Sequence, residues 1–170
     1  MKKLVLIFTI MLSVAFSQKI TAQETIVDVA VGNEDFSTLV TALKAADLVG
    51  ALQGDGPFTV FAPTNGAFAK INAETLGSLL EEKNQKALAN ILTYHVVSGN
   101  ITANDVVAAL KKGKGMVELT ALNGQVLTVV QKDGKIFLKD SSGNFSEIVA
   151  TDVMGSNGVI HVIDTVVMPK

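Results

Sequence analysis

Two histidines, His95 and His161, with the carboxylates near them, are the groups in this chain best suited to chemistry. A hydrolytic site needs a nucleophile, a base within reach and a group that orients the base. His161 and Asp164 lie three residues apart in a strand-like run, so alternation sends them to opposite faces. His161 with Asp152 stays open as a second pairing, but no serine elbow accompanies it. Metal chemistry finds no better footing, since catalytic zinc takes about three protein ligands and no such spacing is present. With no cysteine, disulfides, thiolate metal sites, a cysteine nucleophile and a lipid-anchored cysteine are all excluded. Each histidine instead sits inside an apolar run, the setting of a buried, hydrogen-bonded structural imidazole. Tyr94 reads the same way, with its ring in the core and its hydroxyl on a partner. The expectation is a protein without catalytic residues, metal or cofactor.

The element that must position these residues runs from Gly56 to Phe68. Gly56 and Pro57 break the preceding segment, and Phe58 to Phe61 alternate as a strand does. Pro63 has no N–H to donate, so the strand is expected to end at Ala62. Thr64 then offers an N-cap, and Phe68 and Ile71 recur at helical spacing. Phe58, Phe61 and Phe68 space as core residues do, rather than as a ligand cage.

Upstream, Lys2 and Lys3 precede an apolar run from Leu4 to Phe16, the pattern of a signal peptide and short for a membrane span. Residues 1–22 are read as that leader, with cleavage after Ser17 or Ala22. Its loss leaves at most 12 basic residues against 16 carboxylates. No basic stripe remains to neutralise phosphates, which argues against nucleic acid, and nothing implies a membrane span after cleavage. A single domain over residues 25–169, secreted or periplasmic, fits the 48% hydrophobic and 18% charged content.

Along that domain, Thr25 to Ala30 is a short apolar segment. Asn33 or Asp35 caps a helix carrying Phe36, Leu39, Val40 and Leu43 on one face. Short helices are expected around Asp47–Leu52, Leu76–Leu80 and Leu88–Leu92, the last capped by Asn84, with an extended segment from Thr93 to Val97. Thr102 opens another helix that ends at Lys111, Lys112 and Gly113. Beyond Met116 the pattern turns to alternation, and Asn123-Gly124 and Asp133-Gly134 mark hairpins of a meander. Asn157-Gly158 is read as a tight turn into a final run from Val159 to Met168, a central strand covered on both faces. Helices first and a meander later make an α+β domain.

Three stretches now stand in order: Gly56–Phe68, Thr93–Gly99, and Ser156-Asn157-Gly158-Val159-Ile160-His161-Val162-Ile163-Asp164. Together they resemble the fasciclin-type (FAS1) adhesion domain family, over essentially the whole expected domain. The resemblance implies a β-wedge of antiparallel strands with a cluster of short helices packed on it, and a role in adhesion. It assigns a Tyr-His contact motif to Tyr94 and His95, flanked by Ile91, Leu92, Val96 and Val97. A second contact motif falls on Asp152 and Val153, with valine where the family pattern has isoleucine. The expected function is a secreted, non-enzymatic module that binds an extracellular or cell-surface protein or matrix component. The alternative is an envelope or periplasmic domain for a small ligand, lipid or polysaccharide, which a deep apolar pocket between helices and wedge would favour.

Overall fold

The computed structural model describes residues 24–170, so the expected leader lies outside the described residues. The first element of the described residues is helix α1 (Ile26–Val31), where an apolar segment alone is expected. The reason is local: the Thr25 side chain accepts from Asp28 N, and the Asp28 carboxylate accepts from Thr25 N, closing a capping box. Asn33 caps a 3-10 turn that carries Phe36 into α2 (Ser37–Ala45), and α3 (Val49–Leu52) follows.

Strand β1 (Phe58–Pro63) runs one residue past the expected stop. Pro63 is tolerated there because it closes the strand and needs to donate no further ladder bond. Thr64 caps α4 (Asn65–Phe68) through its bond from Ala67 N, and α5 (Ala73–Leu79) and α6 (Gln85–Tyr94) complete the helical cluster. Asn84 sits at the N-cap of α6 without capping it; its amide donates to Ser78 instead.

The segment expected to be extended from Thr93 is helical through Tyr94, with His95 as its C-cap, and β2 (Val96–Ser98) starts only afterwards. The last turn holds because the His95 ring donates to the Ile91 carbonyl, one of the acceptors a helix end leaves open. Helix α7 (Ala103–Lys112) then leads to the meander β3 (Met116–Thr120), β4 (Val126–Lys132), β5 (Lys135–Lys139) and β6 (Phe145–Gly155), closed by β7 (Gly158–Ile163). The β4–β5 hairpin turns on Asp133 and Gly134, both at positive φ, as Asp-Gly favours.

The seven strands lie in the order β2-β1-β7-β6-β5-β4-β3, and a bridge between Val97 and Ala121 nearly closes the sheet into a wedge. The pairing is not antiparallel throughout, because β1 runs parallel to β7. Helices α4 to α7, strand β2 and the meander separate these two strands in sequence, giving the long crossover that a parallel pair requires.

Alternation along β1 and β7 builds two cores. Val60, Ala62 and Ile160 face the helices, packing with Phe36, Leu39 and Leu92. Phe61 and Ile163 face into the wedge with Tyr94, Leu110, Leu127 and Leu138. Strand β7 is therefore covered on both faces, as expected, but it ends at Ile163 rather than Met168. Past that point Asp164 N still donates to the Glu147 carbonyl, and then side chains take over: Thr165 N donates to Ser146, Val167 N to His95, Met168 N to Asp140, and Lys170 N to Gln125.

Candidate functional site

Both imidazoles are interior and both are spent on the backbone. His95 is buried where α6 meets the C-terminal segment; its Nδ1 donates to Ile91 O at 2.8 Å and its Nε2 accepts from Val167 N at 3.2 Å. That pairing requires the neutral ring. Burial pushes its pKa down to about 4, and the bond to the Ile91 carbonyl offsets only part of this.

His161, on β7, stacks on Phe61 with centroids 5.6 Å apart. Its Nε2 donates to Ile101 O at 2.8 Å, and its Nδ1 lies 3.4 Å from the Asp152 N–H that donates to it. The Asp152 carboxylate does not meet the imidazole. It accepts from Ala103 N at 2.8 Å, at the start of α7. Asp164 turns away as well, accepting from Glu147 N at 2.9 Å and pairing with Lys70 at 3.1 Å. Partial burial raises its pKa, but the bonds from Glu147 N–H, Lys70 and Thr165 outweigh that and hold the carboxyl below its ordinary value. Neither sequence-level histidine–carboxylate pair is thus assembled, and among the described residues no three His, Cys, Asp or Glu side chains gather as a metal site.

Of the four contact candidates, two belong to the interior. Tyr94 is fully buried and donates to Val126 O at 2.9 Å, and His95 is 2% exposed. Their side chains take the buried, hydrogen-bonded setting read from their apolar neighbours and join α6 to the wedge and to the C-terminal segment. Asp152 is exposed and Val153 half-buried, at a register shift of β6 where Asp152 adopts φ +58°. Asp and Asn tolerate this left-handed region better than other residues bearing a Cβ. The bulge holds Asp152 out from the sheet, while Asp152 and His161 together hold the Ile101–Ala103 connection.

Asn157 serves a different purpose from the tight turn expected of it. Residues Ser156 and Asn157 form the turn, since Gly155 pairs with Gly158 across it. The Asn157 side chain accepts from Ile26 N and donates to Leu52 O and Gly54 O, joining α1 and the α3 loop to the sheet. Gly158 is in β7, where a Cβ would lie 2.1 Å from Phe58 O, so close strand approach demands glycine. Asn65 is a second such hub, accepting from Thr38 N and donating to Glu34 O. The sequence marks Asn157 as structural, but the bridging role of either asparagine is not legible there because the partners lie far along the chain.

The helical core contains cavities of only about 10 Å³, one beside Phe68 and His95 and another beside Leu39 and Val60. A cleft of about 160 Å³ lies elsewhere, on the outer face of the meander between Lys132, Phe137 and Phe145.

Comparison with known proteins places this geometry. The model of the Fasciclin domain matches residues 34–169. Protein sll1483 of Synechocystis sp. is 54% identical over 145 residues, covering 85% of this chain and 73% of that protein. The transforming growth factor-beta-induced protein ig-h3 of Sus scrofa is 38% identical over 150 residues, covering 85% of this chain but 19% of that protein. In three dimensions the fold matches a FAS1 domain pair from the insect cell adhesion molecule fasciclin I, with a TM-score of 0.73 at 20% identity over 84% of this chain and 50% of that one. Fasciclin domains are known in cell adhesion and surface proteins. The chain belongs to the fasciclin domain family.

Proposed function

We propose that this domain is an exported, non-catalytic interaction module that binds an extracellular or cell-surface protein through its exterior. The observation that carries the reading is the Asp152 bulge. An exposed aspartate is held in a backbone conformation that costs on the order of 1 kcal/mol, beside half-exposed Val153, by bonds reaching β7 and α7. Tyr94 and His95 support that platform from inside. Their ring atoms fix α6 and the C-terminal segment, while the backbone carbonyl of His95 accepts from Phe61 N. The commitment of both imidazoles to backbone partners supports a non-catalytic role, and membership in a family of adhesion and surface proteins supports the exterior one.

The alternative of a small ligand or lipid held between helices and wedge finds less support. Drug-sized ligands occupy roughly 300–1,000 Å³, against about 10 Å³ in each helical-core cavity. The test is a pull-down with exported protein against envelope and extracellular fractions. Wild type retains a protein that Asp152→Asn and Val153→Ala retain less, while both variants stay folded by circular dichroism. Equal retention by folded variants sinks the site, and retention of glycan or lipid without protein sinks the partner class.

A further inference from the structure

The outer face of the meander has no role in either core. Strand register puts Met116, Val130, Phe137 and Glu147 in one row across β3 to β6, and Glu118, Thr128, Lys139 and Phe145 in the next. Met116, Val126 and Phe145 are 51%, 47% and 52% exposed, so bulky apolar groups stand up from a sheet face instead of packing. Phe137 and Phe145 meet edge to face at 6.4 Å, and the Lys139 ammonium lies 6.0 Å from the Phe145 ring.

Charge is distributed unevenly around this face. Residues 111–139 hold six lysines and two carboxylates, whereas the other described residues hold five lysines and fourteen carboxylates. The lysines converge in space as well as in sequence. Gln131 N donates to Gly115 O, which brings the turn carrying Lys112 and Lys114 beside Lys132, and Lys132 pairs with Lys135 across the hairpin. Glu147 on the same face pairs with Lys135 at 2.7 Å, and Glu118 stands in the second row, so the excess of positive charge rests on Lys112, Lys114, Lys132 and Lys139. An acidic domain therefore presents one net basic, apolar end.

We propose that this face docks on an anionic phospholipid surface. The inference does not rest on the Asp152 site; it adds a second, independent surface. Protruding apolar side chains bordered by lysines suit the boundary between headgroups and acyl chains, where the apolar tips leave water and the ammonium groups meet phosphates. Long lysine stems reach that level from the rim of the face. A glycan is the poorer occupant, because its hydroxyls would lie over Met116, Val126 and Val130 without hydrogen-bond partners. The cleft of about 160 Å³ between Lys132, Phe137 and Phe145 is small beside a ligand pocket. Charge orients the approach, since the acidic remainder of the domain is repelled by the same surface.

The test is co-sedimentation of the exported protein with phosphatidylcholine vesicles, with and without phosphatidylglycerol, at low and high salt. Binding appears with phosphatidylglycerol and weakens with salt. Lys132→Glu and Lys139→Glu each reduce it about fivefold or more, the effect expected from losing one surface lysine. Phe145→Ser reduces it at unchanged charge. All three positions are at the surface, so melting profiles stay within a degree or two of wild type. Equal sedimentation with and without phosphatidylglycerol overturns the proposal. So does equal binding to soluble polyglutamate or polyuronate that Phe145→Ser leaves untouched, since that result makes the lysines a general anion patch.

Discussion

Lowering the pH from 7.5 to 4.5 is predicted to destabilise the domain through His95. The ring is buried, neutral in its bonding, and titrates near 4 in the folded state against 6.5 when unfolded. Between those values the unfolded chain binds a proton that the native state refuses, so stability rises with pH across the interval. The contribution is complete above the unfolded value of 6.5 and is lost progressively as pH falls toward 4. Each pKa unit is worth about 1.4 kcal/mol, so the loss by pH 4.5 is on the order of 2–3 kcal/mol. The carboxylates whose pKa values are lowered, Asp28, Asp105 and Asp164, withdraw stability only below their ordinary value of 3.8, outside this window. Urea unfolding at pH 7.5, 6.5, 5.5 and 4.5 reads the effect, which at an m-value of about 2 kcal/mol per molar moves the midpoint by roughly 1 M or more. His95→Gln is less stable throughout but flatter across the interval. A wild-type midpoint that holds constant, or a variant that keeps the wild-type slope, would refute the reasoning.

Three substitutions probe the rest of the frame. Asn157→Ala removes three bonds tying α1 and the α3 loop to the sheet and is expected to cost about 2–3 kcal/mol in urea unfolding. Tyr94→Phe keeps the ring and strips the donor from the Val126 carbonyl; a loss of about 1–2 kcal/mol by calorimetry is expected. Gly158→Ala sets a Cβ against the Phe58 carbonyl and costs about 3 kcal/mol or prevents folding, measured as soluble yield and melting temperature.

Short-range chemistry made much of the fold legible. Thr64 and Thr102 cap the helices expected of them, Asp133-Gly134 turns the expected hairpin, and Phe58 to Phe61 form the expected strand. Each signal lies within a few residues of its effect. What could not be read depends on partners distant in sequence. The parallel pairing of β1 with β7 joins residues about a hundred positions apart, and the Asn157 side chain reaches Ile26 across 131. Tyr94 reads as extended by composition, yet Leu88 and Leu92 carry the helix onto the first core and turn Tyr94 into the second.

The contact candidates divide along the same line. Apolar neighbours marked Tyr94 and His95 as interior, and that environment is what the structure gives them. Asp152 carried no such signal, because its exposure comes from a register shift in β6 that depends on β7 and the start of α7. The lysine and phenylalanine alternation in Lys135-Ile136-Phe137-Leu138-Lys139 did carry one: odd residues face outward and even residues inward, a pattern legible as a strand but not as a surface.

Hydrogen–deuterium exchange of the exported domain, alone and with the protein it retains from envelope or extracellular fractions, tests the proposed contact most directly. The account predicts slowed exchange confined to residues 150–155 and the adjoining 101–105, where Asp152 holds the start of α7, with the interior around Tyr94 and His95 unchanged. Unchanged exchange at the bulge, or protection confined to another face, would contradict it.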